Sequence, residues 1–105
     1  MQSAVRNYWK NLDISGEAAA SCFHPDGYFH AIGKEKLVKG PALVKFLGSG
    51  KGVCASIQEI FWSFSEDTRS CTVEINVGGK YPLCDVFKFA FDSDLFMSMH
   101  VYGPL

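Results

Sequence analysis

The stretch Tyr81-Pro82-Leu83-Cys84-Asp85-Val86-Phe87-Lys88-Phe89-Ala90-Phe91 places a carboxylate where its pattern requires a hydrophobe. Counted by twos, as along a β-strand, Leu83, Asp85, Phe87, Phe89 and Phe91 share one face. A carboxylate there loses hydration, so it must be paired, bound to a metal, or held neutral with a raised pKa. Near Phe87, Phe89, Met99 and Val101, desolvation should push the Asp85 pKa toward working pH, as general acid–base catalysis requires. If protonated, Asp85 could instead donate a hydrogen bond to a developing oxyanion. The bland alternative is a buried acid that accepts a hydrogen bond from Tyr8 or a backbone amide.

Other chemically able residues carry weaker signals. Alternation turns Phe29 and Ala31 inward and leaves His30 on the sheet surface. The same count puts Met97, Met99 and Val101 inside and His100 outside, while His24 falls in a turn. A three-histidine metal site needs all three to converge, and the spacing does not support it; no metal is expected. Gly48-Ser49-Gly50-Lys51-Gly52 resembles a phosphate loop but fails as one. Lys45 stands where the first glycine belongs, Gly52 replaces the Ser or Thr, and the run follows a helix instead of opening one. It reads as a flexible loop at a cavity rim.

The elements that must hold these residues follow from periodicity. Val5, Tyr8, Trp9 and Leu12 form an apolar helix face from about Ser3 to Asn11. Ser15 caps a short helix over Gly16 to Phe23. His24-Pro25-Asp26-Gly27 is a turn by composition, Tyr28 to Ile32 a short strand, and Leu37-Val38 a second brief one. Pro41 starts a third helix ending near Leu47. Ala55 to Ser65, Ser70 to Val77, Tyr81 to Phe91 and Leu95 to Tyr102 are strands, with Gly78-Gly79 as a two-residue hairpin signal. This order predicts one α+β domain over residues 1–105, with helices covering one face of a curved antiparallel or mixed sheet.

Composition narrows the function classes. The chain has 105 residues, 48% hydrophobic and 14% aromatic, and a formal net charge of −1. That is enough chain for a real core, without the basic footprint of a nucleic-acid or anionic-membrane binder. Cys22, Cys54, Cys71 and Cys84 contain no CxxC pair and read as reduced apolar fillers. No apolar run reaches membrane-spanning length and the N-terminus lacks a signal-peptide core. A cytoplasmic location, no nucleic-acid or membrane partner and no cofactor are expected.

Several motifs, taken in order, carry a family resemblance: Tyr8-Trp9; Cys22-Phe23-His24-Pro25-Asp26-Gly27-Tyr28-Phe29-His30; Lys39-Gly40-Pro41-Ala42-Leu43-Val44-Lys45-Phe46-Leu47; Asp85-Val86-Phe87-Lys88-Phe89; and Ser98-Met99-His100-Val101-Tyr102-Gly103. Together they resemble the SnoaL-like and ketosteroid-isomerase-like branch of the nuclear-transport-factor-2-like superfamily. The resemblance implies a cone: a bent sheet wrapped around three N-terminal helices, with a deep apolar cavity. Trp9, Phe29, Ala31, Phe46 and Trp62 are then expected around a small apolar ligand, with Val73, Phe87, Met99 and Val101 from the later strands. Phe46 or Trp62 could instead fill the cavity, and large aromatics fill cores by default.

In ketosteroid isomerases a protonated aspartic acid and a tyrosine form the oxyanion hole. Asp85 and Tyr8 match these two, whereas Ala31 occupies the position of the general base. In the SnoaL-like cyclases an acid on this same strand acts alone as acid/base, a role Asp85 also fits. Two functions therefore stand: an isomerase, cyclase or dehydratase using Asp85 with Tyr8 assisting, or a non-catalytic ligand-binding or dimerisation module. A homodimer is also expected, formed through the outward sheet face that carries Thr72, Glu74, Asn76, Val86 and His100. Light scattering at high protein concentration should give twice the chain mass; a monomer would reject the dimer.

Overall fold

Alternating apolar residues on four of the strands make one sheet with a dry face, and an amphipathic helix covers that face. The computed structural model describes residues 1–103. Helix α1 spans Gln2–Leu12, α2 Gly16–Ala20 and α3 Pro41–Gly48. Strands are β1 Phe23–Ala31, β2 Ile57–Ser65, β3 Ser70–Val77, β4 Tyr81–Phe89 and β5 Phe96–Tyr102, with a 3₁₀ turn over Cys54–Ser56. They form one curved, unclosed sheet in the order β1-β5-β4-β3-β2. The β1–β5 pair is parallel and the other pairs are antiparallel, so the fold is α+β with a mixed sheet.

Helix α1 buries Val5, Tyr8, Trp9 and Leu12, the face its periodicity predicts. Tyr8 lies edge-on to Phe23, Phe87 and Phe96, with centroids at 5.8, 6.0 and 5.4 Å. Such edge-to-face contacts align the positive ring edge of one aromatic with the negative face of another. The outer side of the helix is tied to β2 at mid-length by Arg6, whose guanidinium donates to both Glu59 oxygens at 3.0 and 2.7 Å. Ser15 caps α2 by accepting from the Ala18 amide.

Several expectations are corrected. His24-Pro25-Asp26-Gly27 does not end a segment; it bulges within β1, between the Phe23–Phe96 and Tyr28–Ser98 pairings. Gly27 is needed there, because a Cβ would lie 2.4 Å from the Phe96 carbonyl oxygen. Leu37-Val38 forms no strand, only one bridge in which Phe29 and Val38 exchange backbone hydrogen bonds. The Gly78-Gly79 hairpin loop has three residues, since Val77 pairs with Tyr81; both glycines have positive φ. Strand β4 stops at Phe89, so Phe91 is not inward but 94% exposed. A bulge at Met97 shifts β5 by one residue: Phe96 pairs with Phe89 and Ser98 with Lys88. Phe96 therefore takes the inward place expected for Met97.

Phe96 is fully buried and touches the rings of Tyr8, Phe23, Phe87 and Phe89. Phe96→Ala should lower unfolding stability by about 3–5 kcal/mol, read by urea denaturation. A loss under about 1 kcal/mol would mean that the cluster is not close-packed.

Candidate functional site

Asp85 lies in the middle of β4, which is hydrogen-bonded on both sides. Its register partners are Val73 on β3 and Val101 on β5. Both cross-strand neighbours are therefore aliphatic, and the side chain projects from the inner face of the sheet toward α1. The residue is 3% exposed, and its Oδ1 has no hydrogen-bond partner. Burial alone drives the carboxyl pKa from an ordinary 3.8 up to about 7. At neutral pH the group is thus split between acid and anion.

The carboxyl opens onto a cavity of about 130 Å³. Tyr8, Trp9 and Leu12 wall it from α1, and Val53 and Ile57 from the segment that enters β2. Ile75, Val77, Leu83, Met99 and Val101 complete the lining from the sheet. The only other polar groups among these side chains are the Tyr8 hydroxyl and the Trp9 indole N–H. Burial, and then the nearby Asp85 charge, push the Tyr8 hydroxyl pKa far up, so it remains a neutral donor. No hydrogen bond joins Tyr8 to Asp85.

A second hollow of about 150 Å³ lies on the other side of Tyr8 and Leu12, bounded by Phe29, Phe46, Leu47, Ser49 and Gly50. The glycine-rich loop after α3 therefore edges both hollows, through Gly50 on one side and Val53 on the other. Asp13 holds it there, with Oδ1 accepting from the backbone N–H groups of Gly52 at 2.6 Å and Cys54 at 3.4 Å.

The residues expected around the ligand separate into groups. Trp9, Met99 and Val101 line the Asp85 cavity. Phe29 and Phe46 line the second hollow, with ring centroids 4.7 Å apart, and Phe46 does not fill the Asp85 cavity. Val73 and Phe87 are wholly buried in the packed core and reach neither hollow. Ala31 is half-buried beside its register partner Val101. Trp62 packs behind Trp9, stacks on Phe64 and donates its N–H to Glu59. Ile75, Val77 and Leu83 were missed, although a signal existed. The Gly78-Gly79 turn sets the β3–β4 register and brings Ile75 opposite Leu83, two residues nearer the turn than Asp85. Val53 carried no signal, being an irregular residue brought in by the loop. Two larger depressions, of about 470 Å³ near the Arg69 turn and the end of β4 and about 560 Å³ beside α1 and Ser93–Leu95, do not include Asp85.

The sequence matches no protein-family model and no curated protein. Solved structures do match along nearly the whole chain. One is SalBIII, an epoxide hydrolase/cyclase-like enzyme with a role in pyran ring formation in the polyether salinomycin. It is 18% identical, with TM-score 0.74 over 96% of this chain and 88% of that one. A nuclear-transport-factor-2-like protein of unknown function from Cytophaga hutchinsonii is 18% identical, with TM-score 0.66 over 97% of both chains. The fold is nuclear-transport-factor-2-like. A putative polyketide cyclase from Sinorhizobium meliloti shares it at 13% identity, with TM-score 0.67 over 96% of this chain and 94% of that one. Within this fold Asp85 occupies the concave side of the sheet, under the helices.

The raised Asp85 pKa has a defined consequence for stability. In the unfolded chain the carboxyl ionises near 3.8 and in the folded protein near 7, so between these values the unfolded state binds fewer protons. Stability from this group is complete below about pH 4, falls as pH rises toward 7, and is then level. The span corresponds to roughly 4 kcal/mol. Asp85→Asn should therefore gain stability over the native protein as pH rises from 4 to 8, measured by urea denaturation at each pH. A difference between the two that is independent of pH would show that Asp85 is not desolvated.

Proposed function

We propose that the protein binds a small, neutral, apolar molecule beside Asp85 and catalyses proton transfer on it. The observation that carries this reading is the orphan carboxyl: buried, unpaired, facing a cavity, and poised near neutral pH. With Ala31 where a second base would stand, Asp85 takes a proton with one oxygen and returns it to another atom of the substrate. The Tyr8 phenol, held neutral, supplies a hydrogen bond to oxygen that becomes negative. Among the described residues no cation lines the cavity, so a neutral substrate is favoured over an anion. The cyclase descriptions attached to two fold neighbours agree with acid/base chemistry in such a site.

The size of the cavity limits the substrate. Its 130 Å³ equals the share of about four water molecules at ~30 Å³ each. Even with the second hollow it falls short of the ~300 Å³ at which sites for drug-sized ligands begin. A molecule with a single small ring matches this volume; a steroid does not. The same small volume and the missing base favour a second reading, a non-catalytic binding module.

Cyclohex-3-enone, an apolar ketone of suitable size, and its unreactive analogue cyclohexanone separate the two. In the catalytic reading the native protein shifts the enone double bond into conjugation. Asp85→Asn then loses at least about 100-fold in rate while cyclohexanone binding persists. An Asp85→Asn variant with native turnover would remove Asp85 from the mechanism. Cyclohexanone binding without any turnover by the native protein would leave the binding module.

A further inference from the structure

On the outer face of the sheet, away from the cavity, the parallel β1–β5 register sets His30 directly beside His100. Their Nδ1 atoms are 3.2 Å apart. His30 Nε2 lies 2.8 Å from the Lys34 carbonyl oxygen, which can only accept, so Nε2 carries the hydrogen. The neutral His30 ring therefore keeps its lone pair on Nδ1, facing His100. A backbone carbonyl that holds the far N–H of an imidazole is the arrangement that orients histidines bound to metals. His100 is fixed from the other side by Tyr28, edge-on at 5.7 Å, and by Tyr102, stacked at 6.4 Å.

We propose that His30 and His100 chelate a divalent transition-metal ion of the zinc, nickel or copper class through their Nδ1 atoms, with water completing the coordination. Zinc–nitrogen bonds of about 2.0–2.1 Å in a tetrahedron place neighbouring nitrogens about 3.3–3.4 Å apart, close to the separation already present. In the metal-free pair, His100 Nδ1 donates its hydrogen to His30 Nδ1. Binding moves that hydrogen to His100 Nε2, which has no hydrogen-bond partner among the described residues, so the ion gains two lone pairs with no net change in protonation. Imidazole donors without carboxylates select these ions over magnesium or calcium. Among the described residues, no third His, Cys, Asp or Glu joins the pair. The bound ion would clip the edge strand β1 to β5 across a separation of 70 residues.

Calorimetric titration of zinc chloride and of nickel chloride into the full chain near neutral pH tests this site. A single saturable ion per chain, bound in the submillimolar range, is expected. His30→Ala, His100→Ala and the more conservative His100→Gln should each weaken binding at least about tenfold, while His24→Ala binds as the native chain does. Long-range proton–nitrogen NMR should show the His100 hydrogen moving from Nδ1 to Nε2 as zinc is added. Absence of saturable binding, or equal binding by the folded His100→Gln variant, would overturn the site. So would a His100 tautomer that zinc leaves unchanged.

Discussion

Strand β4 is hydrogen-bonded along both edges while α1 covers its inner face, and the rest of the molecule is arranged around that constraint. A side chain on this face has no route to water between strands and must either pack or stay neutral. Phe87 and Phe89 pack: Tyr8 meets Phe87 and Phe96 meets Phe89 edge-to-face, and Phe96 lies tilted against Phe87. Asp85 cannot pack in this way. Between Val73 and Val101 it has no donor within reach of Oδ1, and the only response left is a higher affinity for its proton. The same contact that seats α1 on the sheet thus brings the Tyr8 phenol into the carboxyl's surroundings.

An uncompensated buried acid works against folding, as does the cavity beside it, since lining atoms there lack contacts that a filled core would supply. The rest of the core compensates without touching the acid. Aromatic rings fill the interior next to the carboxyl, and the Arg6–Glu59 pair fastens the far side of α1 to β2. The cavity wall is less regular where the segment after α3 completes it, with Asp13 holding backbone amides on that side. A rigid sheet and a loop-built wall divide the work. The sheet aims the carboxyl, and the loop sets how much space lies in front of it.

The general design was legible because it rests on periodicity. The α1 face, the α3 start at Pro41, the alternation of β3 and the acid among hydrophobes on β4 all follow from side-chain spacing. The errors share a cause. Phe91 and Met97 were misplaced because a period of two was extended past the end of β4 and through a bulge in β5, and only pairing with a neighbour reveals where a strand stops or slips. Val73 and Phe87 were placed at the cavity because they share a face with its true lining. Position along the strand decides which residues on that face reach the cavity. The His30–His100 contact escaped for a related reason: residues 70 apart meet only through a parallel pairing that local pattern does not announce.

From its sequence alone, this chain determines an α+β domain, a helix that must cover a sheet, and one carboxylate destined for a dry face, because local spacing and hydrophobicity dictate these. Only the tertiary structure decides that the carboxylate has no partner, that its cavity is small, and that β1 joins the sheet beside β5. Those outcomes depend on register and on side chains distant in sequence filling, or failing to fill, the same space.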